Sequence, residues 1–97
     1  MEQLDREAFG DLIASEDFSK ALEMADRAIA AASDSHPQNL AEIYFERGRL
    51  KWKLGDRAGA TADYRHAIDL DASSPAAEAL EMTRRIMDFY NRDLYNP

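Results

Sequence analysis

The chain contains no cysteine, which excludes disulfides, thiolate metal sites and cysteine nucleophiles. It has no Lys/Arg-rich block either. Nineteen acids against twelve bases leave a formal charge of −7, which disfavours nucleic acid or an anionic membrane as the main partner. No apolar run approaches the ~18 residues of a membrane span. The opening stretch "MEQLDREAFG" is acidic and amphipathic, unlike a secretory signal. These absences make a cytoplasmic protein the expectation. No segment alternates apolar and polar residues between turns, so strands are not expected.

What is present suffices for a core. Apolar residues make up 45 % of 97, and a chain of this size buries roughly 60–65 % of its unfolded surface. One domain over residues 1–97 is expected. Glycines and prolines fall mostly at boundaries, and the apolar spacing predicts five helices. The first covers about 2–14, with Leu4, Ala8, Leu12 and Phe9 on its buried side. The second runs from an Asp17 cap to about 32, and the third from Pro37 to Leu54. The fourth runs from an Asp56 cap to about Leu70. The fifth has Ser74 as its cap and Pro75 at its first helical position, and ends near residue 91. The fold class is all-α.

The stretch "GDRAGATADYRHAID" (55–69) puts Ala60, Tyr64, Ala67 and Ile68 on one helical face. Two small residues flanking a ring imply a neighbouring helix that approaches closely at two points and leaves room for the ring at a third. Residues 17–29 laid over 56–68 repeat this pattern. Asp17 meets Asp56, Ala21 meets Ala60, Ala28 meets Ala67 and Ile29 meets Ile68. The unit is helix–turn–helix, used twice, followed by one extra helix.

Residues 41–74, "AEIYFERGRLKWKLGDRAGATADYRHAIDLDASS", resemble a tetratricopeptide repeat. Tyr44 stands at the first-helix aromatic, Gly48 at the close-approach glycine and Gly55-Asp56 at the inter-helix turn. Ala60, Tyr64 and Ala67 stand at the small–aromatic–small positions. Arg47 replaces the usual leucine, Lys51 a tyrosine and Ala72 the closing proline. Residues 2–35 resemble a degenerate first repeat, with Phe9 at the glycine and Glu16 at the turn glycine. Residues 75–97 resemble the capping helix and tail of small bacterial members. The resemblance implies helix–turn–helix repeats forming an α–α superhelix.

Catalytic chemistry has little to draw on. His36 and His66 lack metal-ligand spacing and read as surface histidines. Asp69 and Asp71 do not follow a calcium-loop pattern, and there is no glycine-rich phosphate loop. No enzyme, no metal and no cofactor are expected. The resemblance implies instead a protein–protein interaction module, whose first helices line a concave groove for a partner's peptide. Helix-by-helix matching places Ile13, Trp52 and Met87 in one groove row. Arg6, Phe45 and Leu80 form a second, and Gly10, Arg49 and Arg84 a third, with Lys53 nearby. This predicts an apolar strip edged by arginines, suited to an aromatic or aliphatic anchor beside an acidic group.

Plain packing is the competing reading: Trp52 against the fifth helix, Met87 in the core, Arg49 paired with Glu46 or Asp56. The family's chaperone-tail clamp is not expected, because Gly10 and Glu46 replace its asparagines. Phe89, Tyr90, Leu94 and Tyr95 crowd the last nine residues. They suggest a tail that turns back near Asn91 and covers the open end. The alternative is a self-associating adaptor, a weak homodimer, whose groove takes its own or a neighbour's tail.

Overall fold

The computed structural model describes residues 5–32 and 36–95, with side chains through Phe89. It contains α1 (Arg6–Ala14), α2 (Phe18–Ala31), α3 (Pro37–Lys53), α4 (Arg57–Leu70) and α5 (Ala76–Tyr95). Among the described residues there is no strand. Short polar side chains start three of the helices. The carboxylate of Asp5 accepts from the Ala8 N–H at 3.1 Å and that of Asp56 from the Gly59 N–H at 2.9 Å. Ser74 Oγ accepts from the Ala76 N–H at 3.1 Å. Each satisfies an amide that the first helical turn leaves without a partner. Asp17 precedes α2 as expected, but its side chain makes no capping bond.

The helices pack in chain order, each on its predecessor, and α3 with α4 share the most extensive contact. The body measures 53 × 31 × 17 Å. Two clusters form the core. Phe9, Ala21, Ala25 and Leu50 make the first. Ala41, Ala60, Tyr64, Ala67, Ala76 and Leu80 make the second. Ala60 and Ala67 are 0 % exposed, as the small–aromatic–small pattern requires. In α1 only Phe9 is fully buried, Ala8 and Leu12 are half-buried, and Leu4 lies outside the described residues.

Both turns inside the helix pairs close in the same way. The Asp17 N–H donates to the Leu12 carbonyl at 2.8 Å and the Glu16 N–H to that of Ile13 at 3.0 Å. In the later turn the Asp56 and Gly55 N–H groups donate to Lys51 and Trp52 carbonyls at 2.9 and 3.1 Å. This geometry needs a left-handed residue. Gly55 supplies it at φ 88°, and Glu16 supplies it at φ 60° despite its Cβ.

A charged fork joins the helices where the sequence departs from the family pattern. Arg47 Nε and one terminal nitrogen donate to the two oxygens of Asp63, each at 2.8 Å, and the other terminal nitrogen reaches Asp26 at 2.9 Å. Lys51 Nζ lies 3.3 Å from Asp63. Asp63 is buried, so α2, α3 and α4 share one satisfied charge network. The hydrogen bonds it donates to Asp63 hold the Arg47 guanidinium above its already high ordinary value. Lys51 and Arg47 thus do with charge what leucine and tyrosine do by packing.

The tail differs from expectation. The chain does not turn at Asn91, because α5 continues to Tyr95. "NRDLY" contains neither glycine nor proline, and the first proline after it is Pro97. The side chains expected to cap the core at Tyr90, Leu94 and Tyr95 lie outside the described residues.

A methyl group at Gly48 would sit 2.7 Å from Tyr64 Cε1 and 3.2 Å from Asp63 Cβ. Gly48→Ala is therefore expected to cost about 1–3 kcal/mol by overpacking. Glu16→Gly relieves the left-handed strain and is expected to gain about 1 kcal/mol. At about 4–8 °C per kcal/mol for a domain of this size, thermal melts should move several degrees in opposite directions. Gly48→Ala melting with the wild type would contradict the close approach.

Candidate functional site

The helical period distributes the faces of α3 among three neighbours. Gly48 and Ala41 turn to α4, Leu50 turns to α2, and Phe45, Arg49 and Trp52 are left on a third side. α5 rests on α4 and makes at most a marginal contact with α3. The result is an open hollow of about 520 Å³ between α3 and α5. Phe45 and Trp52 form its α3 wall, and Ala79, Met82 and Ile86 its α5 wall. Tyr64 is the floor, its ring 6.0 Å from that of Phe45 at 40°. Burial pushes the Tyr64 phenol above its ordinary value, with nearby Arg49 opposing the shift.

The rim is mixed in charge. The Arg49 guanidinium lies 5.6 Å from the Phe45 ring centroid and 3.2 Å from Glu46. Lys53 sits 5.6 Å from the Phe18 ring, and Arg57 lies 5.1 Å from that of Trp52. Glu78 and Pro75 close the edge near the start of α5. A second, more polar hollow of about 500 Å³ adjoins this one and shares Phe45, Arg49 and Pro75. It adds Arg6, which pairs with Glu42, and the acids Glu46 and Asp71.

Of the residues named from sequence, Phe45, Arg49, Trp52 and Lys53 meet around the main hollow. Arg6 joins Phe45 and Arg49 in the second hollow. Gly10 is exposed, with nothing within 4 Å of the place a Cβ would take. Ile13 packs on the Phe9 cluster. Leu80 is 8 % exposed and belongs to the core. Arg84 is exposed and Met87 is 38 % exposed, and neither lines a described hollow. Met82, Ile86, Ala79, Thr83 and the floor residue Tyr64 line the site without having been named for it. α5 is turned about one residue, ~100°, from the assumed phase, because Ala76, Leu80 and Thr83 take the face toward α4.

Elsewhere, the exposed His66 stacks on Tyr44, with ring centroids 4.4 Å apart and planes within 13°. His36 precedes α3 and makes no capping bond. Among the described residues, no group of three or more His, Asp or Glu is placed to hold a metal ion. No helix there is long and apolar enough to cross a membrane.

The observed phase of α5 has a direct consequence for stability. Leu80→Ala is expected to cost about 2–5 kcal/mol, as buried leucine truncations do. Met82→Ala, at a position 64 % exposed, is expected to stay within about 0.5 kcal/mol of wild type. Denaturant midpoints for the two variants decide it, and the reverse order would restore Leu80 to the groove.

Residues 41–74 match the family model described as tetratricopeptide repeat. No curated protein matches the chain. Among solved structures, the chain is similar to Bacteroides fragilis protein BF1650, determined by solution NMR. The two are 34 % identical with a TM-score of 0.77, over 99 % of this chain and 91 % of that one. With five helices in this arrangement and a relative so similar along nearly the whole chain, this protein belongs to the tetratricopeptide repeat family.

Proposed function

We propose that the chain is a non-catalytic interaction module that takes a peptide segment of another protein between α3 and α5. Tetratricopeptide repeats generally mediate contacts between proteins. In this reading residues 2–35 act as a degenerate first repeat, 41–74 as the second and 75–97 as the capping helix and tail. The observation that carries it is the α3–α5 hollow. Phe45, Trp52, Met82 and Ile86 offer apolar surface, and Arg49 and Lys53 stand at its edge on a chain whose net charge is −7.

An apolar strip bounded by cations suits an aromatic or aliphatic anchor followed by a carboxylate. Burial of the anchor supplies affinity, and a charge-assisted hydrogen bond to Arg49 supplies direction. Arg6 and Gly10 extend the same face toward α1, where the second hollow offers room for the peptide's continuation. The absence of cysteine agrees with a cytoplasmic setting.

Selection from a displayed random-peptide library tests the proposal. Enriched sequences should combine an aromatic or aliphatic residue with a nearby Asp or Glu. Trp52→Ala should weaken the selected peptide at least about tenfold, or 1.4 kcal/mol. Arg49→Glu should remove the acidic preference, with helicity retained in both variants. Peptides that bind Trp52→Ala as tightly as wild type would falsify the site.

A further inference from the structure

The side of α5 turned from α4 carries a second pattern, which shares Met82 and Ile86 with the hollow. α5 has 20 residues against 14 in α4, so at ~1.5 Å per residue it outruns α4, on which it packs, by about 9 Å. Away from α4 it presents Met82, 64 % exposed, and Phe89, 61 % exposed, with the half-buried Ile86 between them. Their spacing of four and three is that of a helix–helix seam. Charges run down one flank of the seam in the order Glu81, Arg85, Asp88.

We propose that two copies of the chain associate through α5, antiparallel about a two-fold axis at Ile86. That arrangement sets Met82 against the partner's Phe89, and Phe89 against the partner's Met82. In an antiparallel pair the same flank of each helix faces its copy. Arg85 then meets the partner's Asp88. The pairing is attractive, and the symmetry makes it twice. Arg85 and Glu81 are 3.6 Å apart on their own helix, with side chains 78 % and 56 % exposed, so both are accessible to a second copy.

Charge selects a copy of this helix over other acidic surfaces. α5 holds four acids and three arginines, and is near neutral, while the remainder of the molecule carries almost all of the net −7. The faces that repel most strongly are therefore kept apart in the pair. A contact of about three helical turns falls at the low end of interface sizes, under ~1,200 Å² in total, which gives a weak dimer that forms with concentration. Met82 and Ile86 also line the hollow, so the dimer and a groove-bound peptide compete.

Sedimentation velocity on the full chain over a wide concentration series, with no peptide present, tests the pairing. The wild type should pass from monomer to dimer. Phe89→Glu and the single change Arg85→Asp should each weaken dimerisation at least about tenfold. The double change Arg85→Asp with Asp88→Arg should return it to near the wild-type value, because the cross-copy pair is rebuilt with its signs exchanged. Circular dichroism establishes that each variant is folded. A chain that stays monomeric throughout, or a dimer indifferent to these substitutions, overturns the proposal. The double variant dimerising no better than Arg85→Asp does so as well. Each outcome is read without reference to peptide binding, so the groove stands or falls separately.

Discussion

Gly48 against the Tyr64 ring is the contact on which the rest of the molecule depends. With hydrogen in place of a side chain, α3 settles on α4 closely enough for the ring to fill the space between them. Tyr64 then becomes both the centre of the larger core cluster and the floor of the hollow. Ala60 and Ala67, one turn to either side, keep the same face low enough for Ala76 and Leu80 of α5 to enter. Close packing of this kind tolerates little change of volume. The distance between the two walls of the hollow is therefore fixed by residues that mostly do not line it.

The charged fork of Arg47 and Asp63 is a second constraint, of another kind. Burying a carboxylate is costly unless it is paired and its lone pairs are used. Here Asp63 receives two bonds from Arg47 and lies within ion-pair distance of Lys51. Because Arg47 also reaches Asp26, the network orients α2 on the α3–α4 pair. Arg47 at the same time lies 5.3 Å from the centroid of the Tyr44 ring, on which His66 stacks. Two substitutions that look like losses from the family pattern are compensated by one buried acid on the facing helix.

The α3 wall of the site was legible because its information is local. Phe45, Arg49, Trp52 and Lys53 lie on one helix, whose phase follows from Gly48 facing α4. The expected rows set α5 on α3 at an offset of 35, one residue from the phase that the structure shows. The 34-residue length of the matched segment was the available signal. At that offset Phe45, Arg49 and Trp52 meet Ala79, Thr83 and Ile86, all of which line the hollow. Leu80 had looked like groove surface, yet a large apolar residue facing two alanines is what fills the α4–α5 core.

By itself the sequence determined the five helices, the caps at Asp56 and Ser74, the small–aromatic–small face and the pairing of helices in chain order. These follow from backbone chemistry and period within a few turns of chain. Only the tertiary structure decided that Arg47 and Lys51 converge on Asp63, and which side of α5 faces the hollow. It also decided that α5 runs straight past Asn91 beyond its neighbour. Each of these depends on what stands opposite a residue across space, and a one-residue rotation of a helix changes that completely while leaving its sequence period intact.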